Sequence, residues 1–172
     1  MKSKTIEPEL SRPVAVDKIP PNGLDQTIDA GEQEREKLAG RFGLLRVSKL
    51  SAKLAVHPAQ AGRAFAVTGR MQADVVQQCV VSLEPLPAHI EQGIDVVCAL
   101  PSAEPGEEED EDMEPIVNGE IDLGELVAQH LGVALDPYPR KPGLAYVEAS
   151  YEQRGSQGNP LSSLVEWPKK PK

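Results

Sequence analysis

Apolar and polar residues alternate through the first half of the chain, and the period changes near residue 122. In residues 46–56 the even positions Leu50, Ala52, Leu54 and Val56 are apolar, while the odd ones include Lys49, Ser51 and Lys53. Period two with one wet face predicts a strand in a sheet covered on one side. Residues 64–76 have the opposite parity: Phe65, Val67, Met71, Ala73 and Val75 are apolar, and Thr68, Arg70, Gln72 and Asp74 point the other way. Residues 89–100 supply a third apolar set in Ile90, Ile94, Val96, Cys98 and Leu100. Turn-forming stretches at 57–62 and 82–87 separate the three runs, which together predict an antiparallel meander.

Two segments follow helical spacing. Residues 29–43 start with Asp29 as N-cap and Glu32 in capping-box position, carry Leu38, Ala39 and Phe42 on a narrow apolar face, and end at Gly43. So polar a helix belongs on a surface. Residues 122–134 are more strongly amphipathic, with Leu123, Leu126, Val127, His130, Leu131 and Ala134 on one side. Asp122 is its expected cap and Glu125 closes a second box; the prolines at 137 and 139 stop it. Residues 10–19 read as a short edge strand carrying Val14 and Val16, since Pro13 fits poorly in a central one. Residues 20–23 form a turn, and 160–167 a short terminal helix. The expected fold is α+β: an antiparallel sheet, as a meander or a barrel-like closure of it, packed against one amphipathic helix with a second helix on the surface. One domain is expected over 10–165, after a disordered stretch 1–9. It contains an acidic, disordered loop at 101–114 and precedes a basic tail at 166–172.

Composition narrows the function. Hydrophobic residues are 40% of the 172, enough for a core, but aromatics are only 3%, too few for a base-stacking platform. No apolar run approaches the roughly 18 residues of a membrane span, the N-terminus lacks an apolar signal core, and two cysteines make no disulfide framework. A cytoplasmic protein with reduced thiols and no membrane contact is expected. The net charge of −9 is mostly one loop: eight carboxylates lie between Glu104 and Glu114, including Glu107, Glu108, Glu109, Asp110, Glu111 and Asp112, and without them 19 acids face 18 bases. Five bases and no acid lie between Arg46 and Ala73. Charge so segregated is compatible with a basic binding face.

Candidate chemistry is sparse. His57 and His89 fall at turns, and His130 sits on the apolar side of a helix, where a packing role outweighs that of base or ligand. No phosphate loop, HExxH or nucleophile triad spacing occurs, so no catalytic residue is assigned. Cys79 and Cys98 form no CxxC, and a hairpin turning near Glu84 and Pro85 places them opposite Ile90 and Met71, roughly 25 Å apart along the strands. Neither a metal, a cofactor nor a disulfide is expected. Lys49, Lys53 and Arg70 on polar strand faces are candidate phosphate contacts, against the commoner reading of a solvated sheet face.

Residues 69–87 (GRMQADVVQQCVVSLEPLP), 114–140 (EPIVNGEIDLGELVAQHLGVALDPYPR) and 159–165 (NPLSSLV) resemble the bacterial YceD family, also called DUF177. The resemblance spans roughly residues 10–165. Its most specific part is Cys79 followed by Leu83-Glu84-Pro85, then Asp122-Leu123 and a helix ending Asp-Pro-x-Pro. It implies a role in accumulation of large-subunit ribosomal RNA, with that rRNA or a basic large-subunit ribosomal protein as partner and no enzymatic activity. Many relatives carry CxxC where this chain has Cys79-Val80-Val81-Ser82, and some could close a zinc site with cysteines near 139–143, where this chain has none. Two mechanisms stay open. Either the basic sheet face contacts rRNA, or the acidic loop shields a basic protein as an adaptor or chaperone without touching RNA.

Overall fold

The computed structural model describes residues 8–101 and 113–143. The elements are β1 (Pro13–Ala15), β2 (Leu24–Asp29), α1 (Glu32–Phe42), β3 (Arg46–Ala59), β4 (Ala64–Gln78), β5 (Pro85–Ala99), β6 (Met113–Pro115), β7 (Glu120–Asp122) and α2 (Leu123–Ala134). Strands β2-β3-β4-β5-β6 form one sheet, antiparallel except for the short parallel β5–β6 pair, while β1 and β7 form a second, two-stranded sheet. The fold is α+β, a mixed sheet rather than a closed barrel. Residues 144–172, with the expected helix at 160–167 and the basic tail, lie outside the described residues, as do 1–7 and 102–112.

The alternation read from the sequence carries the core. Leu50, Ala52, Leu54 and Val56 of β3 and Phe65, Val67, Met71, Ala73 and Val75 of β4 are buried, opposed by Leu123, Leu126, Val127 and Leu131 of α2 and Leu38 of α1. Fully burying such a side chain contributes about 1.5–3 kcal/mol each. One irregularity resets the parity: between Val47 and Lys49 the β3–β4 register shifts by a bulge, so Val47 is buried although the later core positions are even.

Several boundaries differ from the sequence reading. Residues 24–29 are β2, paired to β3 with Asp29 opposite Ser51, so Asp29 is a strand end and not the N-cap. The cap of α1 is Gly31, whose N–H donates to Glu34 Oε2 at 2.7 Å. The edge strand expected over 10–19 is the three-residue β1, and Leu10 before it is fully buried. Glu9, placed in the disordered stretch, pairs with Arg41 at 2.9 Å. β5 begins at Pro85, not His89, because the β4 hairpin turns tightly over residues 79–84; Leu100 at its end is exposed. That register sets Cys98 opposite Phe65 rather than Met71, and Cys79 beyond the ladder. The two thiols are then roughly 45 Å apart along β4. Met113 and Glu114 belong to β6, so the acidic segment is bounded by strands on both sides.

Asp122 caps α2 as expected, accepting the N–H groups of Gly124 at 3.0 Å and Glu125 at 3.2 Å. Glu125 does not close a box. Its carboxylate takes a two-pronged ion pair with Arg41 of α1, at 2.8 and 2.9 Å, so the two helices are tied side chain to side chain. Gly124 is required by close approach: a Cβ there would lie 2.7 Å from the Leu10 carbonyl oxygen and 2.9 Å from the Arg12 nitrogen.

Candidate functional site

The face of the sheet turned away from both helices is polar. Side chains directly opposite on neighbouring antiparallel strands share a face. Register therefore builds rows across it: Thr27–Lys53–Arg70–Gly93, Asp29–Ser51–Gln72–Glu91, Asp25–Ala55–Thr68–Asp95 and, at one end, Lys49–Asp74–His89. Lys53 and Arg70 are opposite each other with Cβ atoms about 5 Å apart. Neither has an ion-pair partner among the described residues. Beneath them the strands approach closely, since a Cβ on Gly69 would fall within 3 Å of the Lys53 carbonyl and of Leu54 Cα.

Lys49 lies four residues from Lys53, about 13 Å along β3. Its cross-strand neighbour Asp74 accepts a 2.6 Å hydrogen bond from His89 Nδ1, and that bond raises the His89 pKa above its ordinary value. Bases thus run along the central strands β3 and β4. Carboxylates flank them: Asp25 and Asp29 on β2, Glu91 and Asp95 on β5. This rim was not legible in the count of five bases without an acid, because the acids come from strands distant in sequence.

A second cluster is the 79–84 turn. Cys79 N–H donates to the Glu84 carbonyl at 2.9 Å, and Leu83 N–H to the Cys79 carbonyl at 3.0 Å. Leu83 takes a positive φ of 62° and is exposed. Ser82, at the second position of the CxxC spacing, directs its N–H at Cys79 Sγ at 3.4 Å. Hydrogen bonds from Ser82 pull the buried Cys79 thiol down to about 6. Burial pushes Cys98 the other way, to about 11. The segment after α2 closes over this turn: Val80 N–H donates to the Pro139 carbonyl at 2.9 Å, Gln77 Nε2 to the Asp136 carbonyl at 2.8 Å, and Lys141 pairs with Glu84 at 2.9 Å. Lys141 and Ser82 hold the Glu84 carboxyl below its ordinary range. Pro85 then starts β5.

The structure brings Cys79, Leu83, Glu84 and Pro85 together in that turn, and sets Asp122 and Leu123 apart at the start of α2. His130 Nδ1 donates to the Leu126 carbonyl at 2.9 Å, as a packing histidine does. Among the described residues no three His, Cys, Asp or Glu side chains converge as metal ligands. No described helix is long and apolar enough to cross a membrane. Residues 107–112 of the acidic segment lie outside the described residues. Sequence reasoning missed Gly69, Gln77 and the Arg41–Glu125 pair, for which no local signal exists.

These features define an α+β sheet protein with its charged groups on an open face and a hairpin turn. A family model described as large ribosomal RNA subunit accumulation protein YceD matches residues 67–162, more than half of the chain, and the protein belongs to that family. The matched stretch contains Arg70, the Cys79 turn and Asp122, and begins after Lys49 and Lys53. No curated protein and no solved structure matches the chain.

Proposed function

We propose that this protein is a non-catalytic cytoplasmic factor supporting accumulation of large-subunit ribosomal RNA, and that Lys49, Lys53 and Arg70 contact rRNA phosphates. The observation that carries the reading is the Lys53–Arg70 pair. Like charges directly opposite on a ladder are destabilising. Neither side chain makes an ion pair among the described residues, and both face solvent. A phosphate between the two cations supplies the missing counter-charge. The carboxylates of β2 and β5 confine the cationic stripe to two strands' width, about 10 Å, which fits one extended RNA backbone along β3 better than a duplex. The experiment is titration of large-subunit rRNA against salt with the Lys49→Gln/Lys53→Gln/Arg70→Gln variant. Loss of association, with up to about three units of log–log salt slope, is expected. Unchanged affinity and slope in a folded variant overturns direct contact through this face.

A second reading is favoured by one observation. The pairs Val97–Met113 to Ala99–Pro115 hold the two ends of the acidic segment side by side at one end of the sheet. A protein adaptor would use Glu107, Glu108, Glu109, Asp110, Glu111 and Asp112 to bind a basic large-subunit ribosomal protein without touching RNA. Replacing these six by Gln and Asn should then abolish binding to such a protein, while the triple sheet variant should not.

A further inference from the structure

Asp74 stands between two bases. On the polar face its register partners are Lys49 on β3 and His89 on β5, each with its Cβ about 5 Å away. The carboxylate sides with one of them. His89 Nδ1 donates to Asp74 Oδ1 at 2.6 Å, whereas Lys49 makes no ion pair among the described residues. The other imidazole nitrogen, Nε2, lies 3.6 Å from Glu91 Oε1, and Gln72 Nε2 donates to that same oxygen at 3.0 Å. The groups facing His89 are therefore Lys49 and Asp74 along its own row and Gln72 and Glu91 along the next. Arg46, with the uncharged Val76 and Pro87, forms the row on the other side. On its far edge β5 meets β6 only at residues 97–99, away from His89.

We propose that His89 is a positioning residue of the phosphate-binding face: by holding Asp74 toward β5 it leaves the Lys49 ammonium for a phosphate. The inference rests on the reading of this face as an rRNA contact. With His89 protonated, imidazolium and carboxylate cancel, and the row Lys49–Asp74–His89 carries one net positive charge. When His89 loses its proton the row becomes neutral. Asp74 then competes with the phosphate for Lys49, across one strand spacing. The hydrogen bond to Asp74, and after it Glu91, raises the His89 pKa, so the imidazolium persists above its ordinary 6.5. Affinity for a phosphate backbone is therefore full below the raised value and falls as pH rises through it.

The test is a salt titration of large-subunit rRNA at several pH values between about 6 and 9. Wild-type affinity should fall roughly threefold as pH rises, the scale of one unit charge about 8 Å from a phosphate at a wet surface. The log–log salt slope should shrink by about 0.7, one single-strand contact. Asp74→Asn should keep the low-pH affinity at the alkaline end, since Lys49 then has no rival acceptor. His89→Gln still donates to Asp74 but carries no charge, and should show the alkaline affinity at the acid end. A merely structural pair would lower affinity in both variants and leave the pH profile unchanged. His57, His130 and Cys79 are common to all three proteins, so the difference between profiles isolates His89. Without RNA, Lys49→Gln should raise the His89 titration point seen by NMR, because the ammonium no longer competes for Asp74. An unmoved titration point overturns the proposal. So does a wild-type affinity that stays level with pH, or falls equally in Asp74→Asn. The Lys49→Gln/Lys53→Gln/Arg70→Gln variant separates the two failures. If it binds rRNA like the wild type, contact through this face falls and the role of His89 with it. If it loses binding while the wild-type and Asp74→Asn profiles coincide, only the role of His89 falls.

Discussion

The carboxylate of Asp122 accepts the backbone N–H of Arg12 at 2.7 Å, across 110 residues of sequence. The same carboxylate takes the Ser11 hydroxyl at 2.6 Å and the N–H groups of Gly124 and Glu125 in the first turn of α2. One side chain thus caps the helix and fastens the N-terminal strand to it. Asp122→Ala leaves these donors without an acceptor and should cost about 2–3 kcal/mol in urea unfolding, more than an ordinary cap. A loss of only a few tenths would mean water replaces the carboxylate freely.

Gly69 and Gly93 provide a matched pair. Alanine ordinarily stabilises a strand relative to glycine by about 0.5–1 kcal/mol. At Gly93 a Cβ meets nothing within 4 Å, so Gly93→Ala should be neutral or stabilising. At Gly69 it strikes the β3 backbone under Lys53. Gly69→Ala should destabilise by about 1–3 kcal/mol. Thermal unfolding of the two variants side by side tests the close approach.

Arg41 joins α1 to α2 through Glu125. The pair is two-pronged and about a quarter to a third exposed. Its coupling should be about 0.5–1 kcal/mol, measured by a double-mutant cycle with Arg41→Ala and Glu125→Ala and reduced by salt. Glu9 gains from the same guanidinium, so Glu9→Ala should lower that coupling little but destabilise on its own.

The Cys79 thiol sits at about 6 against an ordinary 9.0, through hydrogen bonds from Ser82, so folding favours its thiolate. A depressed folded pKa contributes stability that is complete above the unfolded value and is lost as pH falls through the folded one. Wild-type stability should therefore rise relative to Cys79→Ala between pH 6 and pH 9. Thiolate absorbance in the Cys98→Ala variant should titrate near 6. A step near 9 would show that Ser82 does not favour the thiolate.

At pH below the carboxylate range, the Arg12–Glu34 pair should fail. Arg12 holds Glu34 below its ordinary value, at 2.7 Å. Its contribution is present above about pH 4.5 and disappears as pH falls through the lowered folded value. Glu34→Gln should flatten that acid limb in a pH series of urea midpoints.

The sequence by itself determined the inward and outward faces of β3 and β4, the cap and apolar stripe of α2 and the family. Each is written in local spacing: a period of two places Leu50, Leu54, Phe65 and Met71 on one face, and a period near 3.6 places Leu123, Val127 and Leu131 on another. The meander order of β3, β4 and β5 was legible too, whereas tertiary structure alone decided their register and which distant elements join them. Lys53 meets Arg70, Asp25 and Glu91 rim the basic stripe, Asp122 reaches Arg12, and Glu125 turns from its own helix end to Arg41. Such pairings follow from register and helix packing, which are settled by burying the whole apolar layer at once. Asp29 shows the limit most plainly. Its residue type suits a cap, but pairing of residues 24–29 with β3 satisfies those backbone groups in a ladder and moves the helix start to Gly31.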